Sequence, residues 1–229
     1  MSIKTEVYDN DVYRFKTINW DRKPEYIIDI GANDGWFTTL AAENAPDAKI
    51  YSYELMKENY DKAKGNLSKF SNVEVFNKVI IGENAATKYM RAPKNSGGHR
   101  ALYENEDTYI SEKRYKELIW EKDSRQGSTL HDDLPEQISL KQIIEDNDID
   151  YVDFLKIDCE GCEHELLLHM FKHDIDKKIL NMALEVHGRT WDEWPKIVKT
   201  LKERFDDVTE KGHHLIFCRN NYKDCKSNK

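Results

Sequence analysis

Short apolar runs alternate along the chain with stripes of helical period, and this alternation defines the expected elements. Strands are predicted at 26–30 (YIIDI), 49–54 (KIYSYE), 73–80 (VEVFNKVI), 152–157 (VDFLKI) and 179–186 (ILNMALEV), with a closing pair near 206–210 and 213–219. Helices are predicted at 36–45, 57–70, 139–147, 163–174 and 191–205, the last with Thr190 as its N-cap. Strands alternating with helices imply an α/β domain, doubly wound around a mostly parallel sheet with helices on both faces. The pattern breaks over roughly 84–135, where no strand is predicted and one polar amphipathic helix, YISEKRYKELIWEK, stands between loops. An interruption of that length between sheet strands predicts a helical and loop insertion after the third strand, serving as a lid or acceptor-binding segment of a single domain spanning 1–229.

The first strand runs into the turn DIGANDG and then into a helix. Gly31 and Gly35 permit a tight turn and close ligand approach, and Asn33 tolerates a positive φ better than other non-glycine residues. The following helix directs its N-terminal N–H groups at whatever the turn holds. The spacing departs from the dinucleotide fingerprint G-x-G-x-x-G, and no G-x-x-x-x-G-K-[ST] loop occurs, so pyrophosphate fits poorly. Glu54 ends the second strand, 54 − 29 = 25 residues beyond Asp29, where an acid accepts hydrogen bonds from ribose hydroxyls in doubly wound folds. S-adenosylmethionine satisfies both conditions, a ribose and no diphosphate, and Asp29 would meet its ammonium directly or through water. Ala32 and Leu55 complete the two turns and are included in the expected cofactor site.

Ligands of open α/β sheets lie across the carboxyl ends of the strands. FLKIDCEG brings Asp158 and Glu160 to that edge, and ALEVHG brings Glu185 and His187. If the ligand is a sulfonium methyl donor, transfer is an in-line displacement that needs an aligned acceptor and, for a weakly nucleophilic hydroxyl, a group to take its proton. His187 is the first choice of base and Asp158 the second, Asp158 also counting among the residues beside the cofactor. No metal is expected, although Asp158, Glu160, Glu185 and His187 are the set that would hold Mg²⁺ or Mn²⁺ if one were required. Lys156 is expected to pair with a carboxylate or cover a sheet edge, and the loop KNSGGHR (94–100), with His99 and Arg100, reads equally as a segment ordering over the bound cofactor or acceptor and as a flexible polar turn. Trp36, Trp191 and Trp194 are read as packing residues that could also line an acceptor cleft.

The net charge of −8, from 35 Lys+Arg against 43 Asp+Glu, argues against an extended nucleic acid partner. The first residues show no apolar leader and no run is long enough for a membrane span, so a cytoplasmic protein without membrane contact is expected. Four cysteines, Cys159, Cys162, Cys218 and Cys225, are sparse for 229 residues and are expected as ordinary reduced thiols rather than a disulfide framework or a zinc site.

Read together, IIDIGANDGWFT, IYSYELMKENYDKAKGNL, NVEVFNKVIIG and SLKQIIEDNDIDYVDFLKIDCEGCEHELL resemble the FkbM family of S-adenosylmethionine-dependent methyltransferases over about residues 20–190, excluding the insertion. The resemblance implies the seven-stranded, Rossmann-like class I methyltransferase fold and cofactor contacts at Asp29, Gly31, Asn33 and Glu54. It also implies O-methylation of a small-molecule acceptor, a sugar, glycan or polyketide-like hydroxyl. Leu55 stands where the family commonly has proline. Three other functions stay open at this point: N-methylation, a non-catalytic cofactor-binding partner or sensor, and a nicotinamide-dependent oxidoreductase.

Overall fold

A computed structural model describes residues 2–91, 99–103, 129–187, 194–212 and 215–222. At its centre β1 (Tyr26–Ile30) pairs in parallel with β2 (Lys49–Tyr53) on one side and β9 (Phe154–Ile157) on the other. Beyond them lie β3 (Val73–Phe76) and β10 (Asn181–Glu185), and the sheet ends in β12 (Leu215–Arg219) and β11 (Asp207–Lys211). The seven-stranded order β11-β12-β10-β9-β1-β2-β3 is parallel except where β12 meets β10 and β11. The order reverses between β1 and β9, which places a ligand crevice above their carboxyl ends.

Successive strand residues face opposite sides, and this sheet buries both. Ile28, Ile30, Tyr51, Tyr53, Leu155, Ile157, Met182 and Leu184 join one cluster with α3 (Leu140–Asp146), α4 (Glu163–Lys172) and α5 (Trp194–Arg204). Ile27, Ile50, Phe154 and Ala183 join the other, under α1 (Trp36–Asn44) and the N-terminal segment that contributes Val7, Tyr13 and Phe15. The remaining helix, α2 (Lys57–Leu67), follows β2.

Two departures from the expected elements shape the site. The run 73–80 is two strands rather than one: β3 stays in the main sheet, while β4 (Lys78–Ile81) leaves it to pair with β8 (Glu136–Ser139). Asn77 makes the break, its side-chain amide donating to the carbonyls of Glu54 at 2.9 Å and Leu55 at 2.8 Å. The interval expected to lack strands carries β5 (Ala86–Arg91), β6 (Arg100–Tyr103) and β7 (Thr129–His131), a three-stranded antiparallel sheet in the order β6-β5-β7. Its buried residues Ala86, Met90, Ala101, Leu102 and Tyr103 form a small core with Val79. The pairing of β5 with β7, about forty residues further on, leaves no local periodic signature. The predicted helix at 109–122, most of KNSGGHR and Trp191 fall outside the described residues, as does the side chain of Trp194. Among the described residues no helix is long and apolar enough to cross a membrane.

Candidate active site

The turn after β1 is built by backbone. Gly31 and Ala32 N–H groups both donate to the Tyr53 carbonyl at 3.0 Å, and Gly31, Asn33 and Gly35 take φ values of 83°, 52° and 85°. A Cβ on Gly31 would stand 1.7 Å from the carbonyl oxygen of Asp158, so only glycine lets the β1 and β9 turns pass each other. Gly35 is the N-cap of α1, and a Cβ there would press on Leu67 at 2.9 Å.

Glu54 is 6% exposed and held from both oxygens, accepting from the N–H of Asn33 and of Met56 at 2.8 Å each. Burial pushes its carboxyl up and these two N–H groups pull it back. With one N–H on each oxygen, the carboxylate keeps the further acceptor capacity that a ribose diol requires. Glu54 lines one cavity together with Gly31, Ala32, Asn33, Leu55, Asp158, Glu160 and Glu185.

Asp29 is placed differently from expectation. It is fully buried beneath the turn, accepting from Thr38 Oγ1 at 2.6 Å and paired with Lys156 Nζ at 3.2 Å, and it does not line the cavity. In this arrangement Asp29 supports the turn from beneath. Lys156 lies on a central strand rather than an edge, opposite Asp29 in register, and its ammonium donates to the carbonyls of Gly31 at 2.6 Å and Ile30 at 3.3 Å. Burial opposes its charge, but Asp29 and Asp158 prevail and its value is raised.

Asp158 and Glu185 are tied together by a residue that the sequence pattern did not single out. Tyr13 comes from the N-terminal segment and donates to Asp158 Oδ2 at 2.7 Å, with Glu185 Oε2 at 3.2 Å. Burial, then the two carboxylates, push the Tyr13 hydroxyl well above its ordinary value, so it remains a donor. Glu160 is held by Arg100 Nη2 at 3.3 Å, which brings the small antiparallel sheet onto the site.

A second unrecognised residue organises the loop after β9. Glu163, the first residue of α4, accepts at Oε1 from the N–H groups of Cys159 and Gly161 at 3.1 Å, and His187 Nδ1 lies 3.0 Å from the same oxygen. Glu160 and Gly161 adopt φ values of 58° and 122°, doubling the chain back until Cys159 and Cys162 stand 5.6 Å apart at Cα. The two form a disulfide, contrary to the expectation of reduced thiols; the spacing C-x-x-C with a left-handed step inside it supplies the required approach. Cys218 is free and buried, and Cys225 lies outside the described residues.

His187 Nε2 faces Glu160, Glu185 and Asp158 at 3.6, 3.8 and 3.9 Å. Burial works against its charge, but Glu163 followed by Glu160 and Asp158 pushes its value up to about 10. Glu185 is pushed up to about 7, by burial first and then by the Asp158 carboxylate, against the pull of His187 and Lys156. Asp158, Glu185 and His187 also have ligand atoms within 4.8 Å of one another, close enough to share a cation.

A parallel Rossmann-like sheet with an adenosyl-type turn at its switch point and carboxylates across the crevice defines a class I methyltransferase. The family model for the methyltransferase FkbM domain matches residues 29–217, and the chain belongs to that family. A relative is methyltransferase sdnD of Sordaria araneosa, 27% identical over 205 residues that cover 80% of this chain and 74% of that one. Among solved structures, the chain is similar to a human methyltransferase 10 domain containing protein, with 10% identity, a TM-score of 0.47 and coverage of 97% and 83%. It is also similar to M. capricolum TrmK in complex with S-adenosyl-homocysteine, with 14% identity, a TM-score of 0.44 and coverage of 96% and 69%. The fold assignment rests on the strand order itself.

Proposed function

We propose that the protein transfers a methyl group from S-adenosylmethionine to a hydroxyl of a small-molecule acceptor of the sugar, glycan or polyketide-like class. The observation that carries this reading is that Asp158 and Glu185, joined by the Tyr13 hydroxyl, line the same cavity as Glu54. The cofactor residues fit: Glu54 keeps acceptor capacity for a ribose diol, and Gly31, Ala32 and Asn33 line the same cavity. The cofactor supplies an electrophilic methyl on a sulfonium.

The rest is done by side chains of this chain. A hydroxyl acceptor entering beside Asp158 gives its proton to Glu185, whose value of about 7 suits a base working near neutral pH. His187 is an imidazolium at that pH, with a value of about 10, so the role of base expected for it passes to the carboxylate. Its charge, fixed through Glu163, steadies the surrounding acids as the proton moves. Asp158, held by Tyr13, orients the acceptor, and Glu160, held by Arg100, closes the far wall.

The test is a transfer assay with radiolabelled S-adenosylmethionine over panels of hydroxylated sugars, phenols and polyketide-like alcohols, with amines as the contrasting panel. Labelled hydroxyl products lost in Glu185→Gln support the reading; product confined to amines replaces it by N-methylation. A second reading, with Mg²⁺ or Mn²⁺ on Asp158, Glu185 and His187, is favoured by their convergence within 4.8 Å. Activity abolished by EDTA and restored by Mg²⁺ or Mn²⁺ selects it.

A further inference from the structure

Outside the cavity, α4 carries another convergent cluster. His169 lies in its last turn and His173 caps its end, four residues apart and therefore on one face. Glu83 meets them from the turn between β4 and β5, with His169 Nδ1 and His173 Nε2 each 2.7 Å from the same oxygen, Oε1. Lys172 holds the other oxygen, Oε2. The two rings stand 4.6 Å apart between centroids, and the three ligand atoms lie within 4.8 Å of one another.

The approach is set by the backbone before these side chains act. A Cβ on Gly82 would stand 2.5 Å from the carbonyl oxygen of Glu165, so the chain leaving β4 runs directly against α4 and delivers Glu83 over the following turn. The carboxylate is thus presented to both imidazoles by contacts independent of the cluster itself.

We propose that Glu83, His169 and His173 form a Zn²⁺ site that ties the β4–β5 turn to α4. Two imidazoles and one carboxylate are a recurrent zinc donor set, and the nitrogen share disfavours Mg²⁺ and Ca²⁺, which prefer all-oxygen shells. Metal–ligand bonds of about 2.0–2.1 Å in tetrahedral geometry separate donors by about 3.3 Å. Each 2.7 Å pair would therefore open by about 0.6 Å, a small rotation for the half-exposed Glu83 carboxylate. The ion replaces the imidazole protons that now face Oε1, and Lys172 becomes an outer partner orienting the carboxylate. Three protein ligands leave one position for water.

The consequence reaches the catalytic loop from both sides. Glu163, at the start of α4, gathers the 159–161 backbone, and the sheet that begins with β5 carries Arg100 onto Glu160. An ion between α4 and the β4–β5 turn fixes these two supports relative to each other.

Untagged full-length protein, stripped with EDTA and exchanged into chelator-free buffer, would be titrated with ZnCl₂ by calorimetry. His173→Ala, Glu83→Gln and His187→Gln would run in parallel, the last removing the imidazole of the other acidic cluster. The site predicts a zinc equivalent bound by wild type and His187→Gln with the same affinity, and more than about tenfold weaker in His173→Ala and Glu83→Gln. It also predicts a rise in unfolding temperature with zinc that both latter variants lose. His173 is exposed, so its truncation should leave the fold intact, which circular dichroism checks; Glu83→Gln decides if it does not. Absence of saturable zinc binding by the wild type overturns the proposal. So does binding that survives both variants, or that disappears in His187→Gln.

Discussion

Gly31, Glu54 and Glu185 each carry one separable step. At Gly31 the obstacle is backbone against backbone, a Cβ 1.7 Å from the Asp158 carbonyl at a φ of 83°. Gly31→Ala is expected to cost more than about 3 kcal/mol, combining strain at positive φ with displacement of the β9 turn, and to abolish cofactor binding. Thermal unfolding with and without S-adenosylmethionine measures both effects. At Glu185 the expected loss is in turnover: Glu185→Gln should lower kcat by about 10²–10⁴-fold while leaving cofactor affinity intact. With the carboxyl near 7, wild-type activity should rise with pH through that value as the base deprotonates, and the variant should lose this limb. His187 gives a stability signal of opposite sense. Its folded value of about 10 lies above the ordinary 6.5, so its contribution is fully present below about 6.5 and is lost as pH rises through 10. Denaturant titrations across that window should show the loss in wild type and its absence in His187→Gln.

Among the elements, β9 and the loop after it explain what was legible in the chain and what was not. Strand positions, the positive φ at Asn33 and the meeting of Asp158, Glu160, Glu185 and His187 followed from local apolar periods and from the rule that open-sheet ligands sit at carboxyl ends. Tyr13 was not legible, because its role depends on an N-terminal segment passing 145 residues away in sequence from its partner Asp158. Glu163 was not singled out in the sequence, because only the folded loop shows one oxygen gathering two backbone N–H groups and an imidazole. The same doubling back paired Cys159 with Cys162. Asn77 divides what reads as one apolar run, because its side-chain amide satisfies two carbonyls of the β2 turn. Lys156 illustrates the energetics of a charge inside a strand. Lys156→Met would leave Asp29 buried without its cation, at a cost of about 3–5 kcal/mol, and adding Asp29→Asn should recover part of it. Denaturant unfolding of the single and double variants tests this; equal stability of Lys156→Met and wild type would remove Lys156 from the account.

For the whole molecule, one register connects scaffold and site. Asp29 stands opposite Ser52 on β2 and Lys156 on β9, so the polar row beneath the turn crosses three central strands. Thr38 of α1 bonds to both Asp29 and Ser52, at 2.6 and 2.9 Å. The turn after β1 is therefore anchored to the sheet rather than suspended from a loop, and Glu54, Asp158 and Glu185 line one cavity beside it. The central claim is that this cavity is an adenosyl site read by Glu54. Calorimetric titration of the wild type and Glu54→Ala with S-adenosylmethionine and S-adenosylhomocysteine, with NADH as control, tests it most directly. The account predicts saturable binding of both adenosyl ligands, weakened by about 1–3 kcal/mol in Glu54→Ala, and no binding of NADH. Folded wild-type protein that binds neither ligand, or a Glu54→Ala variant that binds them as tightly as wild type, would contradict it.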